Sequence, residues 1–459
     1  MLISSCDKLL PSKICFTKEM LNLKSIIILI SKLLYKIGKL IGKGSSMPGK
    51  IALKLDRNIL KKIALPDDII MVTGSNGKTS TVEMICNTLE SNGYKVGCNR
   101  EGSNQTEGVT TMILNECNLK GEVKKDVLVI ESDERYLRHT LKYFKPKYLV
   151  VTNLYRDQMT RNGHPELIYD IIKEALSEGI HLILNADDPL SSLYGYKRDN
   201  VTYFGMNRNQ FSTNENESAY NDGVYCPNCK SKLKYDYYHY NHIGSYKCEK
   251  CGHARKEPKY AVTDVNLENG EMVINDKYKL TMNLKSIYNA YNLLATFAAC
   301  KLIGLKNEDI VSSLNNFIAK NDRIQTFEVA GKSTMLLTSK HENSISYNQS
   351  LLYIIREAKP CTVVIIVDAV SRKYFTSETS WLWDIDFELL NNSCVEKVVL
   401  AGKYVHDLVT RFEFSGIDME KVVAKEDLDE MMTEVKENSK GEIYVVTCFS
   451  DRMKFLDRR

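Results

Sequence analysis

Met71-Val72-Thr73-Gly74-Ser75-Asn76-Gly77-Lys78-Thr79-Ser80 is the stretch on which the reading of this 459-residue chain turns. An apolar β-rich run at 69–73 enters it and a helical run at 79–91 leaves it. Strand, glycine loop and helix in that order are the setting of a phosphate-binding loop. Gly74 and Gly77 let backbone N–H groups turn toward phosphate oxygens, and the helix start adds partial positive charge. Asn76 and Ser80 complete the expected cradle, Lys78 can reach the terminal phosphates, and the Thr79 hydroxyl can ligate Mg²⁺. The ordinary pattern places four residues between its glycines, whereas this loop has two. The bland alternative, a glycine turn that merely precedes Lys-Thr, is opposed by the strand and helix on either side.

Outward from the loop, β-rich runs at 95–98, 127–130, 148–152 and 181–184 alternate with helical stretches, which predicts an α/β domain with a mostly parallel sheet. The tyrosine-rich segment 214–258 breaks the alternation and reads as an insertion; a helical run at 289–302 resumes it. A second alternating series starts near 333, with strands expected at 362–367, 397–400 and 443–447, and needs its own core. The expected layout is an N-terminal extension over 1–45, a phosphate-loop domain over 46–330 carrying an insert at about 222–256, and a smaller Rossmann-like α/β domain over 331–459.

Lys plus Arg number 62 against 58 Asp plus Glu, a balance that gives no reason to expect nucleic-acid binding. Thirteen cysteines are too dilute for a disulfide scaffold and odd in number, as expected of a reduced compartment, so the cytosol is the expected location. The apolar run Ile26-Ile27-Ile28-Leu29-Ile30 is bracketed by Lys24, Lys32, Lys36 and Lys39, too short for the roughly 20 residues of a membrane span. Over 21–43, apolar positions at helical spacing with interleaved lysines predict an amphipathic helix. It either packs on the protein's own body or makes peripheral contact with an anionic membrane.

Cys226-Pro-Asn-Cys229 and Cys248-Glu-Lys-Cys251, about 18 residues apart, have the spacing of a ribbon whose two knuckles hold one Zn²⁺. Four thiolates close the coordination sphere, so the metal is expected to serve folding. His239 and His242 lie between the pairs as alternative ligands. Tyr235, Tyr237, Tyr238, Tyr240 and Tyr246 would give so small a module its apolar contacts, or else stack on nucleic-acid bases.

Further residues follow in order: Glu131 at a strand end, Asn153 and Asp157 in Thr-Asn-Leu-Tyr-Arg-Asp-Gln, Asn185-Ala-Asp-Asp-Pro189, and Asn289-Ala-Tyr-Asn292. Singly, Glu131 or Asp157 reads as a solvated loop acid; beside the phosphate loop, Glu131 can hold a second metal position and offset charge between a γ-phosphate and an anionic substrate. The ordered set resembles the central domain of Mur ligases and folylpolyglutamate synthases. The inserted ribbon, the stretch Ser380-Trp381-Leu382-Trp383-Asp384-Ile385-Asp386-Phe387-Glu388, and the segments Pro48-Gly-Lys-Ile-Ala52, Asn99-Arg-Glu-Gly102-Ser-Asn104 and Asn321-Asp322-Arg323 narrow the resemblance to the MurT family, from about residue 22 to the end.

This resemblance implies that ATP, with Mg²⁺ at Thr79 and Glu131, activates the α-carboxylate of D-glutamate in the lipid II stem peptide. Ammonia from a separate GatD-like glutaminase in a heterodimer then yields D-isoglutamine. Asn289, Asn292 and Arg323 join the nucleotide site by the same carry-over. No cysteine of the chain sits in Gly-x-Cys-x-Gly, the nucleophile turn that a glutaminase needs, so a separate partner is expected.

Three segments depart from the family. Its Asp-x-Ser-Trp aspartate, thought to orient the partner's catalytic histidine, is replaced in Glu378-Thr379-Ser380-Trp381 by a longer acid; a solvated loop carboxylate is the competing reading. The Lys-Asn-Pro-x-Gly-x-Asn segment becomes Lys340-His-Glu-Asn-Ser-Ile-Ser-Tyr-Asn348, and Asn-Asp-x-x-Ala-Asp-Gly becomes Val367-Asp368-Ala-Val-Ser-Arg-Lys-Tyr-Phe-Thr376. Lost glycines imply differently shaped loops on the ammonia-entry side. Two alternatives stand beside amidation: an amino-acid-adding Mur or folate-type ligase, and a nucleotide-binding paralogue acting as a regulatory subunit.

Overall fold

β1 (Asp68–Thr73) runs Ile69-Ile70-Met71-Val72 without a polar interruption, as a strand buried on both faces must. In the computed structural model, which describes residues 22–40, 45–100, 103–318, 323–370 and 378–459, β1 lies inside a nine-stranded sheet. Its other strands are β2 (Val96–Cys98), β3 (Val127–Glu131), β4 (Tyr148–Val151), β5 (His181–Asn185) and β6 (Val201–Met206). After a separate antiparallel hairpin, β7 (Lys234–Tyr240) and β8 (Ile243–Lys247), the chain returns as β9 (Tyr260–Asn266), β10 (Glu271–Ile274) and β11 (Tyr278–Thr281). The order is β11-β10-β9-β6-β5-β4-β1-β3-β2, parallel from β9 to β2 and antiparallel at the β9-β10-β11 end.

Side-chain alternation divides the sheet's two cores. Ile70 and Val72 face α-helical cover from residues 78–91 and Ile287–Ile303, while Ile69 and Met71 face the N-terminal helices. Those helices are α1 (Leu23–Leu40) and α2 (Met47–Leu55); the phosphate loop opens α3 (Lys78–Ser91), and α4 (Thr106–Glu116) follows β2. The amphipathic helix expected at 21–43 is therefore present as α1, with residues 21 and 41–43 outside the described set. Its Ile27 and Ile28 enter the core with Ala52 of α2. Gly49 explains the Pro48-Gly49 signature: a Cβ there would sit 1.9 Å from the Glu107 carbonyl of α4, and the Gly49 N–H donates to Thr111 Oγ1 at 2.8 Å.

The second sheet contains β12 (Ile324–Val329), β13 (Lys332–Ser339), β14 (Cys361–Ile366), β15 (Val395–Ala401), β16 (Val422–Lys425) and β17 (Glu442–Cys448), in the order β12-β13-β17-β14-β15-β16. All pairs are parallel except the β12–β13 hairpin. Val363 and Ile365 enter one core, Val364 and Ile366 the other. The boundary expected near 330–333 falls on the turn of that hairpin, at Ala330 and Gly331, whose φ values are +50° and +75°. Both strands it joins belong to the second sheet.

Candidate active site and metal centre

β1 pairs with β3 on one side and β4 on the other, so the strand order reverses here and the segments after their carboxyl ends converge. In the first of them, Gly74 (φ +129°) and Gly77 (φ +84°) make the turn that other residues resist. A Cβ on Gly77 would lie 2.1 Å from Asn292 Oδ1, so the loop packs directly on the helix carrying Asn289 and Asn292. Asn289 is buried, its side chain donating to the Leu284 carbonyl at 3.1 Å. Asn153 holds the loop's shape: its carbonyl accepts from the Ser75 N–H and its Oδ1 from the Asn76 N–H, both at 2.9 Å. Thr79 and Ser80 stand half-buried in the first turn of α3, where backbone N–H groups lack intrahelical acceptors. Loop, helix start and cation together are suited to a polyphosphate.

Lys78 is buried, its ammonium donating to the Gly74 and Ser75 carbonyls and paired with Glu134. Burial works to lower its pKa, but Glu134, Asp157 and Glu131 outweigh that and raise it, so the ammonium stays charged. Glu131 is buried too, and Asn99 and Asn104 orient it: Asn99 exchanges hydrogen bonds with the Glu131 backbone, and Asn104 Nδ2 donates to Oε1 at 2.9 Å. This accounts for the 99–104 signature, of which residues 101 and 102 lie outside the described set. A hydroxyl at Thr79 and an oriented carboxylate at Glu131 are the hard oxygen donors that Mg²⁺ takes.

The second domain reaches into this cluster. Lys340 donates to the Ser75 carbonyl at 3.0 Å and lies 3.8 Å from Asp157. Asn343 caps the helix Ser344–Glu357 and donates to Asp157 Oδ1 at 2.7 Å and Asn76 Oδ1 at 3.1 Å. Arg323 is placed near Glu131 and Asp157, both of which oppose the fall in its pKa that burial causes; residues 321 and 322 of its motif are outside the described set. Arg161 pairs with Asp133 beside the same loops. Sequence reading missed Glu134, Arg161, Lys340 and Asn343 as site residues. Its usable signal was the acidic run Glu131-Ser-Asp-Glu134 at a strand end; Lys340 and Asn343 lay inside a segment read only as altered.

Glu378 is exposed, and its carboxylate accepts from the Ser380 N–H at 2.7 Å, which lowers its pKa. Trp381 is buried, whereas Trp383 is half exposed and packs on exposed Phe414. In the altered 367–376 stretch Asp368 pairs with Lys454; residues 371–376 lie outside the described set.

Cys226, Cys229, Cys248 and Cys251 bring their sulfurs within 4.8 Å of one another, with closest pairs at 3.6 and 3.4 Å. A tetrahedral ion with bonds near 2.3 Å requires sulfur separations of about 3.8 Å, so the donor set fits a structural metal. His239 and His242 take no part: His239 bonds the Met206 carbonyl and Ser212, and His242 lies 3.6 Å from Asp188. The tyrosines tie the module to the domain: Tyr235 and Tyr238 stack at 4.2 Å, Tyr240 meets Tyr288 and Tyr155, and Tyr246 bonds Ser192. Just before the first knuckle, Asp222 binds Arg156, whose other end binds Asp384 of the second domain at 2.7 Å.

The chain is similar to known proteins in sequence and in fold. Residues 72–300 match the Mur ligase middle domain and residues 341–451 the MurT ligase C-terminal domain. The lipid II isoglutaminyl synthase (glutamine-hydrolyzing) subunit MurT of Staphylococcus aureus (strain COL) is 32% identical over 401 residues, 86% of this chain and 89% of that protein. The protein of the same name from Streptococcus pneumoniae (strain ATCC BAA-255 / R6) is 28% identical over 91% of this chain and 92% of its own. Among solved structures, a pseudomurein peptide ligase type C from Methanothermus fervidus superposes with a TM-score of 0.66 at 20% identity, over 87% of this chain and 79% of that one. MurF from Acinetobacter baumannii gives 0.63 at 15% identity, over 89% and 80%.

Proposed function

The chain belongs to the MurT family of the Mur ligase superfamily, and from that premise we propose that it is the ATP-using synthetase of a lipid II isoglutaminyl synthase. It transfers the γ-phosphoryl group of ATP to the α-carboxylate of D-glutamate in the lipid II stem peptide, and ammonia displaces phosphate to leave D-isoglutamine. The observation that carries this reading is the meeting of Lys78 and Glu131 with Lys340 and Asn343 from the second domain at one phosphate loop.

Two anions, nucleotide and substrate carboxylate, must approach each other, and cations on both sides lower that repulsion most in the transition state. Lys78 serves the phosphates from the loop side, while Lys340 and Arg323 stand where the acid would enter from the second domain. Gly74, Asn76, Gly77, Thr79 and Ser80 line the phosphates, with Asn289 and Asn292 backing the loop. Mg²⁺ at Thr79 and Glu131 would neutralise phosphate charge. Zn²⁺ in the four-cysteine cluster would serve folding.

Ammonia comes from a GatD-like glutaminase bound to the second domain, and the exposed Glu378 is the residue we assign to the partner's histidine. Among the described residues no helix is long and apolar enough to cross a membrane. The test incubates the protein with ATP, Mg²⁺ and lipid II, supplying ammonium in one arm and glutamine with the candidate glutaminase in another, and reads the stem peptide by mass spectrometry. Amide in the ammonium arm is expected. Addition of an amino acid instead, or no nucleotide turnover at all, would replace this reading with an amino-acid-adding ligase or a regulatory subunit.

A further inference from the structure

Of the eighteen large apolar side chains exposed among the described residues, seven lie on the single helix α1, which no step above uses. We propose that this face of α1, with the adjoining α2, docks on an anionic lipid bilayer. At about 100° per residue, Leu23, Ile26, Leu29, Ile30, Leu33, Ile37 and Leu40 fall within an arc of about 120°. Ile27 and Ile28 point the other way, into the sheet's core, so the helix has one face committed to the protein and one to the outside. Leu33, Ile37 and Leu40 are 57%, 49% and 87% exposed. Two lysines fix the orientation: Lys24 donates to the Lys120 carbonyl at 2.6 Å and Lys32 to the Asn115 carbonyl, clamping α1 to the body.

Charge selects the occupant. Helices α1 and α2 contain Lys24, Lys32, Lys36, Lys39, Lys50 and Lys54 and no Asp or Glu, although the chain as a whole is nearly balanced at 62 basic against 58 acidic residues. A second copy of the chain on this face would bring two such lysine sets together, which like-charge repulsion disfavours. Residues 1–21 carry Lys8, Lys13 and Lys18 against Asp7 and Glu19 and offer no compensating negative charge. An anionic bilayer satisfies both halves of the surface, taking the apolar arc into the acyl boundary and the ammonium groups of the exposed Lys36, Lys39, Lys50 and Lys54 at the headgroups. The inference deepens the reading of a lipid-linked substrate, placing the phosphate-loop domain against the membrane that holds it.

Flotation of the full chain with phosphatidylcholine vesicles, alone or mixed with phosphatidylglycerol, tests it. The protein should float with the mixed vesicles, float poorly with phosphatidylcholine alone, and be released by salt. Leu33→Glu with Ile37→Glu should lower partitioning by about 100-fold, roughly tenfold for each lost apolar side chain. Lys36→Ser with Lys39→Ser should lower it about 30-fold on anionic vesicles. Melting temperature and metal content should stay at wild-type values in both, because these side chains face away from the core. Wild-type protein that stays off anionic vesicles would overturn the proposal, as would a Leu33→Glu/Ile37→Glu variant that floats normally. A wild-type dimer that this variant converts to monomer, without vesicle binding, would equally overturn it in favour of self-association. Flotation involves no turnover, so failure there is distinguishable from failure to amidate.

Discussion

Lys78 carries a structural burden toward Glu134 and, in the proposed reaction, an electrostatic one toward phosphate, and substitution separates them. Lys78→Ala should reduce ATP turnover by about 10²–10³-fold, the cost of losing a preorganised charge at a transition state. It also strands the buried Glu134 carboxylate, a loss of about 3–5 kcal/mol for a broken buried pair. Adding Glu134→Gln to Lys78→Ala should restore most of the melting temperature and none of the turnover, measured by thermal denaturation and ADP release. A double variant as inactive and as unstable as the single one would show that the pair is not what Lys78 stabilises. At this scale the strand–loop–helix setting of residues 74–80, the place of Glu131 at a strand end and the four-cysteine cluster were legible in sequence, because each rests on local spacing and strand or helix flanks. Glu134 and Lys340 were not, since their significance lies in contacts with Lys78 and with the Ser75 carbonyl, across 56 and 265 positions of chain.

Elements show the same division between local pattern and tertiary placement. Unbroken apolar runs identified β1, β3, β4 and β5 within a residue or two, because a strand buried on both faces cannot disguise itself. The half-buried β12, Ile-Gln-Thr-Phe-Glu-Val, alternates polar and apolar residues and was not picked out, so the Gly331 turn after it read as a border between domains. The cysteine insert is an element that its own core cannot hold: the buried residues special to it are Cys226, Leu233, Tyr246 and Cys248, half of them metal-ligand candidates. Chelation should therefore open the region around 222–256 to protease and lower the melting temperature, with one zinc per chain restoring both. Unchanged proteolysis after complete metal removal would mean that the tyrosine contacts alone fold the insert.

Between domains many of the contacts are polar, among them Asn76 with Asn343, Asp157 with Lys340 and Asn343, Glu342 accepting from Thr160, and Arg156 spanning Asp222 and Asp384, while Ile345 of the second domain is buried in the first domain's core. The two α/β folds were legible in sequence, whereas this seam was not, because polar pairs between distant segments leave no periodic trace. Its position fits the proposed division of labour, in which the first domain takes the nucleotide, Lys340 and Asn343 come from the second, and the acid enters between them. The decisive measurement is isotope transfer: lipid II labelled with ¹⁸O in the D-glutamate α-carboxylate, turned over with ATP, Mg²⁺ and ammonium, and the released inorganic phosphate analysed by mass spectrometry. Phosphoryl transfer to the acid predicts one ¹⁸O in the phosphate for each amide formed. Unlabelled phosphate from a reaction that leaves the stem peptide unchanged would contradict the account.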